Sequence, residues 1–115
     1  MKHKLFFLSL LSLFLFMGCN KDRITLEILT PKKGEILKMY NDIDVKVTAT
    51  TQKGSITQVI LMVDTLKRFD LYKAPYDVII PAYTFKDTGV YFISVTAYSS
   101  EGVMEGDAID IVIKK

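Results

Sequence analysis

Residues 89–97 constrain the fold of this chain more than any other stretch, because their side chains alternate with a period of two. One set of alternate positions carries residues suited to a core: Tyr91, Ile93, Val95 and Ala97. Such alternation places these side chains on one face of a β-strand. Gly89 begins the run and Ser-Ser-Glu-Gly at 99–102 ends it, so residues typical of turns bound it on both sides. The pattern predicts the central strand of an antiparallel β-sandwich.

The same alternation recurs through most of the chain. It predicts strands over residues 24–29, 43–50, 56–63, 66–71 and 76–80, a short edge segment at 35–38, and a last strand that carries Ile109, Ile111 and Ile113. In 56–63 both faces are apolar, which predicts a central strand whose outer side is partly covered. No segment after residue 18 shows a sustained helical period. About seven short strands separated by turns indicate an all-β, immunoglobulin-like antiparallel sandwich over residues 24–115.

The N-terminal segment has the organisation of a signal for export. Lys2 and Lys4 precede thirteen residues, 5–17, in which only two serines interrupt apolar side chains. This run is too short to span a bilayer as a helix, which needs about 20 residues, and it fits the apolar region of a secretory signal peptide.

The end of this segment, Phe-Met-Gly-Cys at 16–19, resembles the lipobox of bacterial lipoproteins. Gly18 and Cys19 match its two strictest positions, whereas Phe16 stands where Leu is usual and Met17 where a small residue is usual. The resemblance implies that residues 1–18 are a lipoprotein signal peptide and that Cys19 is lipidated. Two or three acyl chains anchor a protein stably to a membrane. The alternative is an ordinary secretory signal with an incidental cysteine.

Residues 19–23 are predicted to be the lipidated cysteine and a polar tether. Asn20 follows the cysteine where an Asp signals inner-membrane retention in Gram-negative bacteria, so the outer membrane is the expected location. Lys21 and Asp22 loosely resemble a surface-export signal of some Bacteroidetes lipoproteins, although a solvated linker is the simpler interpretation. Whether the domain faces the periplasm or the cell surface stays open.

The chain after residue 18 lacks most of the groups that catalysis uses. Its 97 residues contain no histidine, and its one cysteine is Cys19. These absences exclude Ser-His and Cys-His nucleophilic sites, zinc sites built on His or Cys, and a disulfide within the chain. Thirteen basic residues balance thirteen acidic ones, so no basic footprint for nucleic acid remains. We therefore predict a non-enzymatic protein with no cofactor.

Two acidic clusters are candidate calcium sites, since calcium takes six to eight oxygen ligands. They are Asn41 with Asp42 and Asp44, and Glu101 with Glu105 and Asp107. Neither spacing forces the oxygens to converge, and we predict solvated turns rather than a metal site.

Four short pieces, in order, resemble a bacterial immunoglobulin-like domain of secreted and surface proteins. They are Pro-Lys-Lys-Gly at 31–34, residues 59–64, Ala-Pro-Tyr at 74–76, and residues 89–97 followed by Gly102. The resemblance implies a corner tyrosine at Tyr91, whose hydroxyl bonds the backbone upstream. Thr65 departs from the pattern's usual glycine. Ser99 departs from an aspartate that related modules sometimes use for calcium.

Tyrosines at predicted turns provide the candidate binding surface. Tyr72, Tyr83 and Tyr98 lie in or beside predicted turns, and Glu101 belongs to the turn after residues 89–97. Interfaces between proteins are enriched in tyrosine and methionine. We predict a non-catalytic envelope lipoprotein that acts as a structural or protein-interaction module, with an envelope or surface protein as partner. The alternative is a carbohydrate-binding lipoprotein of a polysaccharide-uptake system.

Overall fold

The computed structural model describes residues 22–115. The predicted signal peptide and the predicted lipidation site, Cys19, lie outside the described residues. Eight strands follow one another: β1 (Ile24–Thr30), β2 (Glu35–Lys38), β3 (Ile43–Thr51), β4 (Ile56–Val63), β5 (Lys67–Leu71), β6 (Tyr76–Ile80), β7 (Gly89–Ser99) and β8 (Met104–Lys114). A single turn of 3₁₀-helix, Ala82–Thr84, lies between β6 and β7, and residues 22–115 contain no α-helix.

The strands form two sheets packed as a sandwich, which confirms the predicted fold class. One sheet has the order β1-β3-β6 and the other the order β2-β8-β7-β4-β5. All neighbours are antiparallel except β2 and β8, which run parallel. Eight strands are present rather than about seven, because the segment at 35–38 is a strand in its own right. The chain changes sheets at Pro31–Gly34, so β1 and β2 belong to opposite layers.

Strand β7 occupies the centre of the five-stranded sheet, between β8 and β4, as the alternation predicted. Its inward residues Ile93, Val95 and Ala97 are almost wholly buried. Both sheets supply the rest of the core, chiefly with β-branched side chains and Leu61, which suit a pleated surface. The outer residues of β4, Ile60 and Met62, are half-buried, which confirms the partly covered side predicted for that strand.

The predicted corner tyrosine is present at the start of β7. The Tyr91 hydroxyl donates a hydrogen bond of 2.7 Å to the carbonyl oxygen of Asp87. The Tyr91 ring meets Phe85 edge to face, with ring centroids 4.8 Å apart. These contacts fix the connection between β6 and β7 against the sandwich.

Strand register defines the two ends of the sandwich. Ile24 pairs with Thr51, and Ile56 pairs with Ser99. One end, called here the N-terminal end, therefore carries Asp22, the β3–β4 loop at 52–55 and the β7–β8 turn at 100–103. The opposite end carries the connections β2–β3, β4–β5 and β6–β7.

A candidate interaction surface

The outer face of the five-stranded sheet carries apolar side chains that no other layer of residues 22–115 covers. Because Ile93 and its alternate neighbours point into the core, Val90 and Phe92 point outward, and they are 56% and 55% exposed. Ile36 of β2, on the same side of the sheet, is 62% exposed. Single exposed apolar residues are normal on protein surfaces, whereas a contiguous group of them marks an interaction site.

Strand register joins these residues into one patch. Val112 of β8 pairs with Ile36 on one side and with Val90 on the other. Directly opposed side chains of neighbouring strands lie roughly 5 Å apart between their Cβ atoms. Phe92 follows Val90 on the same face. We call these four residues the apolar patch.

A pair of lysines borders the apolar patch. Lys38 pairs with Lys114, two residues further along each strand than the pair of Ile36 and Val112 and therefore on the same face of the sheet. Both lysines are exposed. Like charges directly opposite each other on neighbouring strands repel. Neither lysine makes a salt bridge within residues 22–115; Arg68 and Asp70 do form one there. The patch therefore has a positively charged border at the β2–β8 edge.

The four site residues predicted from the sequence do not share one surface. Tyr72 and Tyr98 flank Gln58 on the outer face of the five-stranded sheet: Tyr98 pairs with Gln58, and the Gln58 side-chain amide donates a 3.4 Å hydrogen bond to the Tyr72 hydroxyl. Glu101 lies in the turn at the N-terminal end. Tyr83, 74% exposed, lies in the 3₁₀ turn at the opposite end.

The residues of the apolar patch were not predicted as a site. The sequence did contain one signal, since Val90 and Phe92 are apolar at the alternate positions of β7 that face away from the core. That signal is local, whereas the juxtaposition with Ile36 and Val112 depends on a strand pairing between residues far apart in sequence.

The first of the two acidic clusters, which contains Asp42, has a structural role in part. The Asp42 carboxylate accepts a 2.8 Å hydrogen bond from the backbone N–H of Ala82, which ties the β2–β3 turn to the β6–β7 connection. In the part of the chain that the structure describes, no three acidic, histidine or cysteine side chains converge as a metal site would require.

Ser99 stands where the immunoglobulin-like pattern named above has an aspartate. Its hydroxyl accepts hydrogen bonds from the N–H groups of Glu101 and Val103.

Asp22 organises the N-terminal end. Its carboxylate accepts hydrogen bonds from the backbone N–H groups of Arg23, Gln52, Lys53 and Gly54, at 2.8, 3.2, 3.0 and 3.4 Å. Burial acts to raise the pKa of Asp22, but the four amides outweigh it, so the pKa lies below its ordinary value of 3.8. The prediction placed Asp22 in the tether, yet the residue is buried and belongs to the fold.

The loop that Asp22 binds is packed closely against the β7–β8 turn. The N–H of Ser55 donates to the Ser100 hydroxyl at 3.0 Å, and the N–H of Ser100 donates to the Ser55 carbonyl oxygen at 2.9 Å. A Cβ at Gly54 would lie 2.9 Å from Cγ of Glu101, which explains why glycine suits this position. The N-terminal end is thus a joined cluster of Asp22 and two loops.

A shallow groove of about 360 Å³ lies on the three-stranded sheet. It forms where β6 begins, because β6 pairs with β3 only as far as Val47. The groove is lined by residues that include Leu29, Thr48 and Tyr76.

Among residues 22–115, no helix is long and apolar enough to cross a membrane.

Comparison with known proteins gives the following similarities. A family model described as bacterial Ig domain matches residues 25–95. A solved structure of the fibronectin(III)-like modules of Clostridium thermocellum CbhA is similar in fold, with a TM-score of 0.66 and 23% sequence identity over 80% of this chain. The match covers 47% of that solved chain, so this chain spans about half its length. No curated protein matched the chain.

Proposed function

The chain belongs to the family of bacterial Ig domains, and from this premise we propose that it is a non-catalytic protein-binding module, held in the bacterial envelope by lipid on Cys19. The observation that carries the proposed binding is the apolar patch, in which Ile36, Val112 and Val90 follow one another across three strands. Its partner is an envelope or surface protein.

The apolar patch favours binding because its exposure is costly in water. Apolar surface left in water costs on the order of 25 cal/mol per Å². Contiguous exposed patches, unlike scattered apolar residues, mark interaction sites. An aromatic ring such as Phe92 at the patch supplies the kind of anchor that carries binding energy at interfaces.

The border of the patch specifies the chemistry of the partner. Lys38 and Lys114 repel each other across the β2–β8 pair, and a partner carboxylate placed between them would relieve that repulsion. Complementary charge also speeds association and excludes wrong partners. The proposed partner surface therefore has an apolar strip with acidic residues at one side.

Lipid on Cys19 would support such binding by keeping the module near other envelope components. Confinement raises the effective concentration of both partners, so that a small patch suffices. The outer membrane is the proposed location, on the basis of Asn20 after the cysteine.

Carbohydrate binding is the second candidate, and one observation favours it. Tyr72, 67% exposed, and Tyr98 flank Gln58, so that two rings and an amide lie on the same face. Aromatic rings beside a polar amide can contact both the apolar faces and the hydroxyl groups of a sugar.

Crosslinking in native membranes tests the protein-binding proposal. Phe92→Ser and Lys38→Glu are compared with Ile79→Ser, a matched control because Ile79 is 62% exposed on the other sheet. We expect a specific crosslinked species that both patch variants lose and the control keeps. Equal crosslinking by all three would contradict the proposal. Saturable binding on a glycan array, lost in Tyr72→Ala, would establish the second candidate instead.

The anchor has its own test. We expect Cys19→Ala to abolish incorporation of radiolabelled palmitate and to release the protein from the membrane fraction. Membrane association of this variant after a carbonate wash would contradict lipid anchoring.

A further inference from the structure

The distance between the proposed anchor and the folded domain has a covalent limit. Consecutive Cα atoms are about 3.8 Å apart, so the three peptide units from Cys19 to Asp22 span at most about 11 Å. Asp22 is fixed in the fold, because its carboxylate binds the N–H groups of Gln52, Lys53 and Gly54. A lipidated Cys19 would therefore hold one particular part of the domain close to the bilayer.

We infer that the N-terminal end of the sandwich is a membrane-contact surface whose partner is the phospholipid headgroup layer. This inference rests on the proposed lipid anchor. The end consists of the β3–β4 loop at 52–55 and the β7–β8 turn at 100–103, both joined to Asp22. A tether of two residues, Asn20 and Lys21, leaves this cluster no room to turn away from the lipid surface.

The charges at this end fit an anionic headgroup layer. Arg23 and Lys53 are exposed there, and basic residues next to a membrane are attracted by anionic lipids. The Asp22 carboxylate is buried and its charge is solvated by four backbone amides, so it opposes that attraction less than an exposed carboxylate would. Glu101 is the exposed acidic residue of the turn.

The same orientation displays the apolar patch to proteins rather than to lipid. Ser99 is the residue of β7 nearest the N-terminal end of the sandwich, and Val90 precedes it by nine positions on the strand. At about 3.3 Å per residue, the patch lies roughly 30 Å from the membrane-contact surface. The two proposed surfaces can then be occupied at the same time.

Fluorescence quenching by a headgroup nitroxide tests this orientation. The lipidated protein is reconstituted in phosphatidylethanolamine–phosphatidylglycerol vesicles, with one fluorophore on Glu101→Cys or, as the matched control, on Lys86→Cys at the opposite end. Both positions are exposed. We expect several-fold stronger quenching at position 101 than at position 86. Equal quenching of vesicle-bound protein, or stronger quenching at position 86, would overturn the inference.

A lengthened tether separates the anchor from the orientation. Ten Gly/Ser residues inserted between Asn20 and Lys21 add an average reach of about 17 Å, and we expect the difference in quenching between the two labels to fall. An unchanged difference would overturn the role of the short tether. Protein that fails to remain on the vesicles at all would instead indicate failure of the proposed lipid anchor, which flotation of the vesicles detects.

Discussion

Asp64 and Phe92 are joined by two hydrogen bonds. The Asp64 N–H donates to the Phe92 carbonyl oxygen at 2.9 Å, and the Phe92 N–H donates to Oδ1 of Asp64 at 3.0 Å. Asp64 adopts a left-handed backbone, with φ of 46°. Its side chain therefore continues the β4–β7 ladder into the turn that follows β4, beside the exposed Phe92 ring.

This arrangement predicts an order of stability among three variants at position 64. Asp64→Ala loses the acceptor and keeps an unfavourable backbone, at an expected cost of about 1–3 kcal/mol. Asp64→Gly loses only the acceptor, and Asp64→Asn keeps an oxygen acceptor, so both should cost less. Chemical denaturation measures the three free energies of unfolding. Equal losses for Ala and Gly would show that the left-handed backbone carries no cost.

The phase of the central strand predicts different outcomes for positions on its two faces. Ile93 is fully buried and Thr96 faces outward. Ile93→Ala should lower the free energy of unfolding by roughly 2–5 kcal/mol, since it leaves a cavity, whereas Thr96→Ala should change it by less than about 0.5 kcal/mol. Urea denaturation compares the two, and similar midpoints would contradict the assigned inner face.

The Tyr91 hydroxyl should contribute measurably to stability. Tyr91→Phe removes the hydrogen bond to the Asp87 carbonyl but keeps the ring contact with Phe85. The expected loss is about 0.5–1.5 kcal/mol. Tyr83→Phe is the matched control because Tyr83 is exposed in the 3₁₀ turn, and it should be neutral. A loss of the same size in both variants would mean that the corner bond is not its source.

Asp22 predicts a specific dependence of stability on pH. Its pKa is lower in the fold than the ordinary value of 3.8, so the unfolded chain binds a proton more readily. Stability from this carboxylate is present above about pH 4 and is lost as the pH falls through the folded pKa. Unfolding of Asp22→Asn should therefore depend less on pH below about 4 than unfolding of the native chain. Identical pH profiles would contradict this role.

Sequence patterns were sufficient to predict the strands whose alternating side chains can be recognised within a few consecutive residues. The period of two located β3, β4 and β7 and assigned Ile93, Val95 and Ala97 to the core, because alternation directly reports which face of a strand is buried. The resemblance also implied the Tyr91 corner bond that the structure contains.

Features that depend on contacts between distant residues were not predicted. Asp22 was assigned to a tether because nothing nearby in sequence indicates that its partners lie 30 to 32 positions away. The parallel pairing of β2 with β8, which builds the apolar patch, depends on the chain changing sheets. Tyr83 and Tyr98 both lie near turns, and only the strand register places them at opposite ends.

The parallel pair of β2 and β8 has a mechanical consequence. Gly34 donates to the Asp110 carbonyl and Met39 to the Lys114 carbonyl, so hydrogen bonds flank this pair on both sides. Both β2 and β8, the last strand, run away from the N-terminal end of the sandwich. If the N-terminus is anchored as proposed, tension between it and the C-terminus pulls the two strands past each other along their length. Bonds loaded in shear share the force and must break together, whereas bonds peeled from one end break singly. We expect the domain to resist stretching between its two ends better than a sandwich closed by a simple hairpin.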